Sequence, residues 1–518
     1  MPNRFSLCIL IAFLAGLIGS VSQGIWPAWW LQILSLATLF ALLFARGSES
    51  TTPAEGFAIV FVYGLAYFVL GVGWLYISMH RYGGMAAPLA AAGVILLSSL
   101  LASFSAVAGA LALRWAGSYG HFVLGKSPMT AILLFSASWG LLEWTRSWIF
   151  TGFPWIALGY SQIDGPLASA APALGVYGIS VLTALLSGGF ALLMTQAWLR
   201  QWSYSAMACM LMAWVCAFTF AHLDFTTATG KTLTVRLVQG NIAQEMKFDP
   251  VRMVTTMRYF VSQVRDSKTS LTVLPETAWT TLWDRTPPDI AAELSSAIRT
   301  SGTRVALGLP AIQDGQIFNS VALIDASNTI TSRYDKTHLV PFGEFVPPGF
   351  RWFVDQMHIP LGDFGRGGQQ QPLLRHENQW IAFNICYEDL FGEALADQVR
   401  RGAQVLINVS NIAWFGDSHA LPQHLVIARM RALELGRPML RATNTGVTAS
   451  IGSNGKVLAQ LAHNQAGNLD VEVASTDGLT PYARFGNWPF LIGSLALMAL
   501  GMWLAQGERV GKHSGKKK

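Results

Sequence analysis

Charge is almost missing from the first 222 residues of this chain. Arg4, Arg46, Glu49, Glu55, Arg81, Arg114, Lys126, Glu143, Arg146, Asp164 and Arg200 are the charged residues there, 11 of 64, which leaves 53 for the other 296 positions. A surface so poor in charge cannot face water, and hydrocarbon is the solvent that suits it. Seven apolar stretches, near residues 5–21, 25–45, 56–79, 87–113, 129–150, 174–198 and 204–221, fill this region, and an eighth covers 488–505. Each is close to the ~20 residues that a helix needs to cross a bilayer core. Arg4 before the first stretch resembles a signal peptide, but no small-x-small cleavage site stands near Ser20–Gln23, so the stretch is read as a retained span.

Eight crossings return both termini to one side. With the termini inside, Arg4, Arg46, Arg114, Lys126, Arg200, Arg509 and the tail of Lys512, Lys516, Lys517 and Lys518 are cytoplasmic, and Arg81 and Arg146 lie opposite. That asymmetry obeys the positive-inside rule and sends the polar section to the outer face, which in a bacterium is the periplasm. The net charge of +6 owes much to the lysine tail, and no aromatic-and-basic stripe accompanies it, so nucleic acid is not an expected partner. Glu143 and Arg146 share one face of the fifth stretch, where a structural ion pair is the simpler expectation and a functional one the alternative.

The polar section, 223–479, is long enough to bury its own core. Strand-like runs at 233–238, 271–274, 304–309, 320–324, 380–385, 405–409, 438–442 and 447–451 alternate with helical patterns at 251–265, 289–300, 392–401 and 422–435. Several strands are apolar on both faces, which predicts an α/β domain with covered sheets. Three places carry polar residues that suit strand ends: Glu276 in Leu274-Pro275-Glu276, Lys336 in Arg333-Tyr334-Asp335-Lys336, and Cys386 in Ile385-Cys386-Tyr387-Glu388. Cys386 is the one thiol of this section, since Cys8, Cys209 and Cys216 lie in apolar stretches, so a disulfide has no local partner. Taken singly, Glu276 also suits a helix cap, Lys336 a surface position and Cys386 a core position. His338, His419 and His424 come with no His-Glu-x-x-His or Cys-x-x-Cys string, and no metal or other cofactor is expected.

Together, a Glu, a Lys and a Cys at successive strand ends resemble the nitrilase superfamily. Longer strings narrow the resemblance to the apolipoprotein N-acyltransferase family, its membrane-embedded branch. They are Val238-Gln239-Gly240-Asn241-Ile242, His338-Leu339-Val340-Pro341-Phe342-Gly343-Glu344, Ala413-Trp414-Phe415-Gly416, Ala428-Arg429-Met430-Arg431-Ala432-Leu433-Glu434 and Gly486-Asn487-Trp488-Pro489.

The resemblance implies a polytopic α-helical membrane domain of eight spans plus an α/β nitrilase-like α-β-β-α sandwich. Residues 1–222 would hold seven spans, 223–479 the catalytic domain, 480–507 the eighth span and 508–518 a basic cytoplasmic tail. It implies an inner-membrane enzyme that moves an acyl chain from a phospholipid to the α-amino group of a diacylglyceryl apolipoprotein, and a monomer is expected. In that scheme Cys386 is the nucleophile, Glu276 the general base and Lys336 the stabiliser of the oxyanion, with Glu344, Tyr387 and Glu388 supporting them. Phe248, Trp352, Phe353, Trp414 and Phe415 are expected lipid contacts. The chain departs from the family at Lys247-Phe248-Asp249, where relatives carry Trp, at Leu274, and at Ile412, where an acid is common. Two other classes stay open at this point: a membrane-anchored amidase with water as acceptor, and a transporter or receptor.

Overall fold

Apolar helices form wherever the chain lacks charge. The computed structural model describes residues 4–26, 28–45, 51–123, 127–247, 249–351 and 363–514. It divides into two compact units: Met1–Gly73, Ala91–Leu223 and Phe485–Lys518 in the first, Trp74–Ala90 and Asp224–Arg484 in the second.

Helices occupy all eight apolar stretches: Arg4–Val21, Trp29–Phe44, Pro53–Gly71, Ala87–Ala116, Pro128–Thr145, Ala171–Trp198, Tyr204–Ala221 and Trp488–Ser514. Six apolar segments of the described chain are long and apolar enough to cross a membrane, so eight spans are not all met by length and hydropathy. Trp29–Phe44 stops at 16 residues, and Pro128–Thr145 ends in the polar string Glu143-Trp144-Thr145. Small residues bring the helices together. A methyl group on Gly16 would lie 2.2 Å from the Tyr63 carbonyl oxygen, so helices Arg4–Val21 and Pro53–Gly71 meet nearly backbone to backbone. Ser35 Oγ donates to the Ala15 carbonyl at 2.6 Å, a polar contact that hydrocarbon cannot compete for.

Glu143 and Arg146 do pair, at 3.5 Å, both buried. Arg146 Nη1 also donates to the carbonyls of Phe153 and Trp155, and Glu143 Oε1 accepts from the Leu158 amide at 3.0 Å. The pair therefore fastens the irregular segment that follows the helix, where no helical ladder satisfies the backbone.

The second unit carries two six-stranded sheets. The first runs β12 (Gly467–Asp477), β1 (Thr227–Gln239), β2 (Leu271–Val273), β3 (Arg304–Gln313), β4 (Gln316–Ile324), β5 (Ile330–Asp335). The second runs β11 (Val457–Gln460), β10 (Ala449–Ile451), β9 (Met439–Thr443), β8 (Val405–Ser410), β7 (Gln379–Ile385), β6 (Leu374–His376). Leu233, Val235 and Leu237 of β1 pack in one core with Ile381, Phe383 and Ile385 of β7 and Val405, Ile407 and Val409 of β8. Their period of two is that of a strand with one face on the inter-sheet core. Helices Pro250–Arg265 and Pro288–Ser301 cover the other face of the first sheet, and Gly392–Arg400 and Ala420–Leu435 cover that of the second. The layers are α-β-β-α, as the resemblance implies.

The apolar strands and all four helices fall where the sequence predicts them. β5, β6, β11 and β12 are additional, and all are short or lie at sheet edges, where polar residues face water and mask the alternation. β1, β2 and β3 run parallel, as do β7, β8 and β9, and β5 regains the direction of β3 through two antiparallel steps. The chain therefore leaves β2 and β5 from one end of their sheet, and those ends present Glu276 and Lys336.

Candidate active site

Glu276 follows β2 by three residues, on a turn that presses against β3. A methyl group on Gly308 would come within 2.4 Å of the Pro275 carbonyl oxygen, so glycine is needed there for the turn to seat. The carboxylate is buried and held on every side. Oε1 accepts from Asn319 Nδ2 at 2.7 Å and lies 3.5 Å from Lys336 Nζ, and Oε2 accepts from the Asn411 amide at 2.7 Å.

Lys336 is the residue after β5, and its side chain is 1% exposed. Its ammonium donates to Glu344 Oε1 at 2.8 Å. Burial alone would lower its pKa, but Glu344 and then Glu276 outweigh that and hold it above its ordinary value, so the group is a permanent cation. Asn319 Nδ2 bridges both carboxylates, at 2.7 Å to Glu276 and 2.8 Å to Glu344. Glu344 is anchored in turn by the Val340 amide, which donates to Oε2 at 2.8 Å.

Cys386 sits directly after β7 with a φ of 53°, a left-handed conformation that costs a side-chain-bearing residue about 1 kcal/mol or more. Local bonds hold that elbow. Asn408 Nδ2 and His424 Nε2 approach the Cys386 carbonyl oxygen at 3.2 and 3.3 Å. Arg441 Nη2 lies 3.0 Å from His424 Nδ1 and can only donate, so Nδ1 is the acceptor and Nε2 carries the proton. The same Nε2–H meets Asp389 Oδ1 at 3.0 Å, and Arg441 Nη1 pairs with Asp389 Oδ2 at 2.9 Å. Burial, against the pull of Asp389, lowers the His424 pKa, in keeping with a neutral imidazole.

Glu388 ties the nucleophile's strand to the lysine's. Oε2 accepts from the Ile385 amide at 2.7 Å, while Oε1 accepts from the Thr337 amide at 2.7 Å and the His338 amide at 3.0 Å. Tyr334 of β5 donates to the same carboxylate. Burial raises the Glu388 pKa, and these donors oppose the rise. Tyr387 packs its ring near His338 and Phe391, with centroids 5.9 and 5.3 Å apart.

Cys386 is partly exposed as a residue, while its thiol lies deep enough for burial to govern its ionisation. Its surroundings keep it protonated: burial raises its pKa, Glu276 raises it further, and Lys336 pulls the other way. A thiol held in that way ionises only with help, and the buried Glu276 carboxylate is within electrostatic reach of it. Glu276, Lys336 and Glu344 are therefore joined to one another beside Cys386, and Glu388 links the segments that carry Lys336 and Cys386.

Of the expected lipid contacts, Phe248, Trp352 and Phe353 lie outside the described residues. Trp414 and Phe415 lie on the turn after β8 and pack on Tyr82 and Trp74, with centroids 5.8 and 4.2 Å apart. Ile412 is buried, and a methyl group on Gly446 would come within 2.7 Å of its Cδ1, so apolar packing occupies that position.

Asn319, the Asn411 amide, Lys247, Asn408 and the Asp389–His424–Arg441 cluster escaped the reading of the sequence. Asn319 and Asn408 each interrupt an otherwise apolar strand, a signal strong enough to have flagged them.

Residues 234–479 match the model of the carbon-nitrogen hydrolase family, and residues 15–189 match that of the apolipoprotein N-acyltransferase N-terminal domain. A curated apolipoprotein N-acyltransferase of Bordetella bronchiseptica is 42% identical over 93% of this chain and 93% of its own length. The chain belongs to the apolipoprotein N-acyltransferase family. Relatives of that name from Ralstonia nicotianae and Chromobacterium violaceum are 41% and 39% identical, over 98% and 99% of this chain and 95% and 96% of their own lengths. A nitrilase-superfamily amidase from Nesterenkonia superposes on 49% of the chain with 17% identity and a TM-score of 0.36. This N-acyltransferase family member combines a multi-pass helical region with a carbon-nitrogen hydrolase domain.

Proposed function

We propose that this chain transfers a fatty acyl group from a phospholipid to the α-amino group of a diacylglyceryl-cysteine at the N-terminus of an apolipoprotein, through a Cys386 thioester. The observation that carries the reading is the convergence of Glu276, Lys336 and Glu344 on a partly exposed Cys386 in a member of this family.

In the first half-reaction Glu276 takes the thiol proton as Sγ attacks the ester carbonyl carbon of the phospholipid. Lys336 stabilises the negative charge on the carbonyl oxygen, a contribution worth ~3–4 kcal/mol for a single donor. The C–O bond breaks, and the proton on Glu276 passes to the departing lysophospholipid oxygen. In the second half-reaction the lipoprotein amine attacks the thioester carbon, its proton moves to Glu276, and the C–S bond breaks. The thiolate then recovers that proton. One ester and one amine become one amide and one alcohol. Lys336 serves both steps because its charge does not titrate in the working range. An amide product is more stable than the thioester, which makes the second step the one that commits the acyl chain.

The lipid substrates place the reaction at a membrane surface, and water must be kept from the thioester. The chain spans the inner membrane eight times as a monomer, with both termini cytoplasmic and the α/β unit periplasmic. The asymmetry of Arg and Lys residues supports that sidedness. Membrane-impermeant thiol labelling of single-cysteine variants in spheroplasts tests it, and labelling of a C-terminal cysteine without lysis would refute it.

The central experiment incubates the purified protein in vesicles of a phospholipid with a radioactive acyl chain. A Cys386 peptide heavier by one acyl group, discharged by a diacylglyceryl peptide and not by water, is the expected result. Discharge by water alone would make the chain a phospholipase-type hydrolase, and no labelled peptide at all would remove the phospholipid as acyl donor.

A further inference from the structure

A second lysine is buried beside the base, and none of the steps above uses it. Lys247 ends a short helical turn, Gln244–Lys247, and is only 4% exposed. Its Nζ donates to the Glu276 carbonyl oxygen at 2.9 Å. No carboxylate lies within ion-pair distance of that ammonium among the described residues. The acids nearest it in sequence look elsewhere: Glu245 pairs with Arg81 at 3.1 Å, and Asp249 with Arg252 at 3.6 Å. The adjoining Gln244 is part of the same support, since its Oε1 accepts from Asn411 Nδ2, and the Asn411 amide is a donor to the Glu276 carboxylate.

Charge bookkeeping gives this lysine a purpose. Glu276 and Glu344 share one cation, Lys336, so these three side chains carry one negative charge in surplus beside a thiol that must pass toward thiolate. A buried surplus of one sign is costly and opposes a second anion directly. The groups that face Lys247 are Glu276 and Cys386, and both favour its charged form, against a burial penalty that brings its pKa down to about 7. Such influence is mutual: a charge on Lys247 favours the anions that favour it.

We infer that Lys247 is a positioning residue for the acyl-transfer reaction, a second buried cation that holds the main chain of Glu276 and balances the pocket as the Cys386 thiol gives up its proton. This rests on the acyl-transfer reading, but its test does not need a lipid. Lys247→Met removes both charge and hydrogen bond, Lys247→Gln keeps an N–H donor without charge, and Lys247→Arg keeps the charge.

The full chain in detergent is treated with iodoacetamide across a pH series, and alkylation of the Cys386 peptide is followed by mass spectrometry. We expect Met and Gln variants to alkylate at least ~10-fold more slowly than wild type near neutral pH, a midpoint about one unit higher. Lys247→Arg should stay within ~3-fold of wild type, because the charge remains. Melting temperature separates this from a packing role: the Met variant should melt no lower than wild type, since a buried lysine with one hydrogen bond costs stability. Wild-type alkylation by the Gln variant would overturn the inference, as would equal slowing of Gln and Arg variants. If Lys247→Met does not fold, the Gln–Arg comparison decides alone. Expected alkylation shifts in a protein that never acylates its cysteine would sink the acyl-transfer reading and leave the charge balance standing.

Discussion

Two buried clusters of opposite charge stand in the two units of this molecule, and they differ in what surrounds them. Glu143 and Arg146 are matched one to one, and their hydrogen bonds go to main-chain groups of the segment just after their own helix, while the guanidinium also stacks over Phe68. Glu276 comes from one segment, Lys336 and Glu344 from another, and all three face the thiol of Cys386. Burying charge is expensive in both places. In the helical unit the return is a fixed turn inside hydrocarbon. In the α/β unit it is a field aimed at one reacting atom. Buried ions that fasten the turn beside their own helix act as scaffold, and buried ions gathered around Cys386 are where we propose the chemistry.

The sharpest test of that contrast removes the atom at which the field is aimed. Cys386→Ser should abolish acyl-enzyme formation, by ~10⁴-fold or more, because a serine hydroxyl is far harder to ionise than a thiol. The folded state should persist, and full complementation of a strain lacking the enzyme would break the contrast outright. Next in size is Lys336→Ala. Losing the cation should slow acylation by ~10²–10³-fold, the magnitude of one oxyanion donor, in a protein that still folds. Single-turnover labelling of Cys386 measures it, and a wild-type rate would strip Lys336 of its role.

Asn319→Ala should cost less, ~10–100-fold in kcat with KM little changed, since it removes a neutral donor that holds two carboxylates in place and touches no substrate. A change confined to KM would move Asn319 into substrate binding. The smallest catalytic effect belongs to Arg146→Met. It should lower the melting temperature while acylation per folded molecule stays within ~3-fold of wild type, because scaffold and chemistry are separable. Loss of activity in a fully folded Arg146→Met protein would erase the distinction.

The pH dependence follows from the same field. Burial, then Glu276, Glu344 and Asp389, hold the Cys386 thiol well above its ordinary pKa against the pull of Lys336, so the thiolate is scarce below that value and grows as pH rises through it. Alkylation of wild-type Cys386 should still be increasing at pH values where a free cysteine, pKa ~8.5, has levelled off. A plateau near neutral pH would mean that Lys336 dominates the pocket instead.

How much of this was legible in advance differs residue by residue. Glu276 and Cys386 each end an apolar run, and a polar residue at such a place stands out in one dimension. Lys336 does not, because β5 reads Ile330-Thr331-Ser332-Arg333-Tyr334-Asp335, with too few apolar residues to announce a strand. It was reached through the resemblance. The donors around Glu276 were out of reach in any local window: the Asn411 amide is 135 residues away in sequence and Asn319 is 43. His424 carries no metal-site string in the sequence, and its place between Arg441 and the Cys386 carbonyl depends on residues 17 and 38 positions away.

Composition and periodicity alone determined that this chain has a hydrocarbon-solvated part and a water-solvated part, and which strands lie in the centre of each sheet. Those properties are sums over neighbours along the chain, so a short window contains them. Only the tertiary structure decided which charges share a pocket, that Cys386 turns left-handed, and that a second lysine lies against the base. Coulomb attraction and hydrogen bonds act over a few ångströms of space, and the residues they join here come from strand ends that only sheet formation brings together.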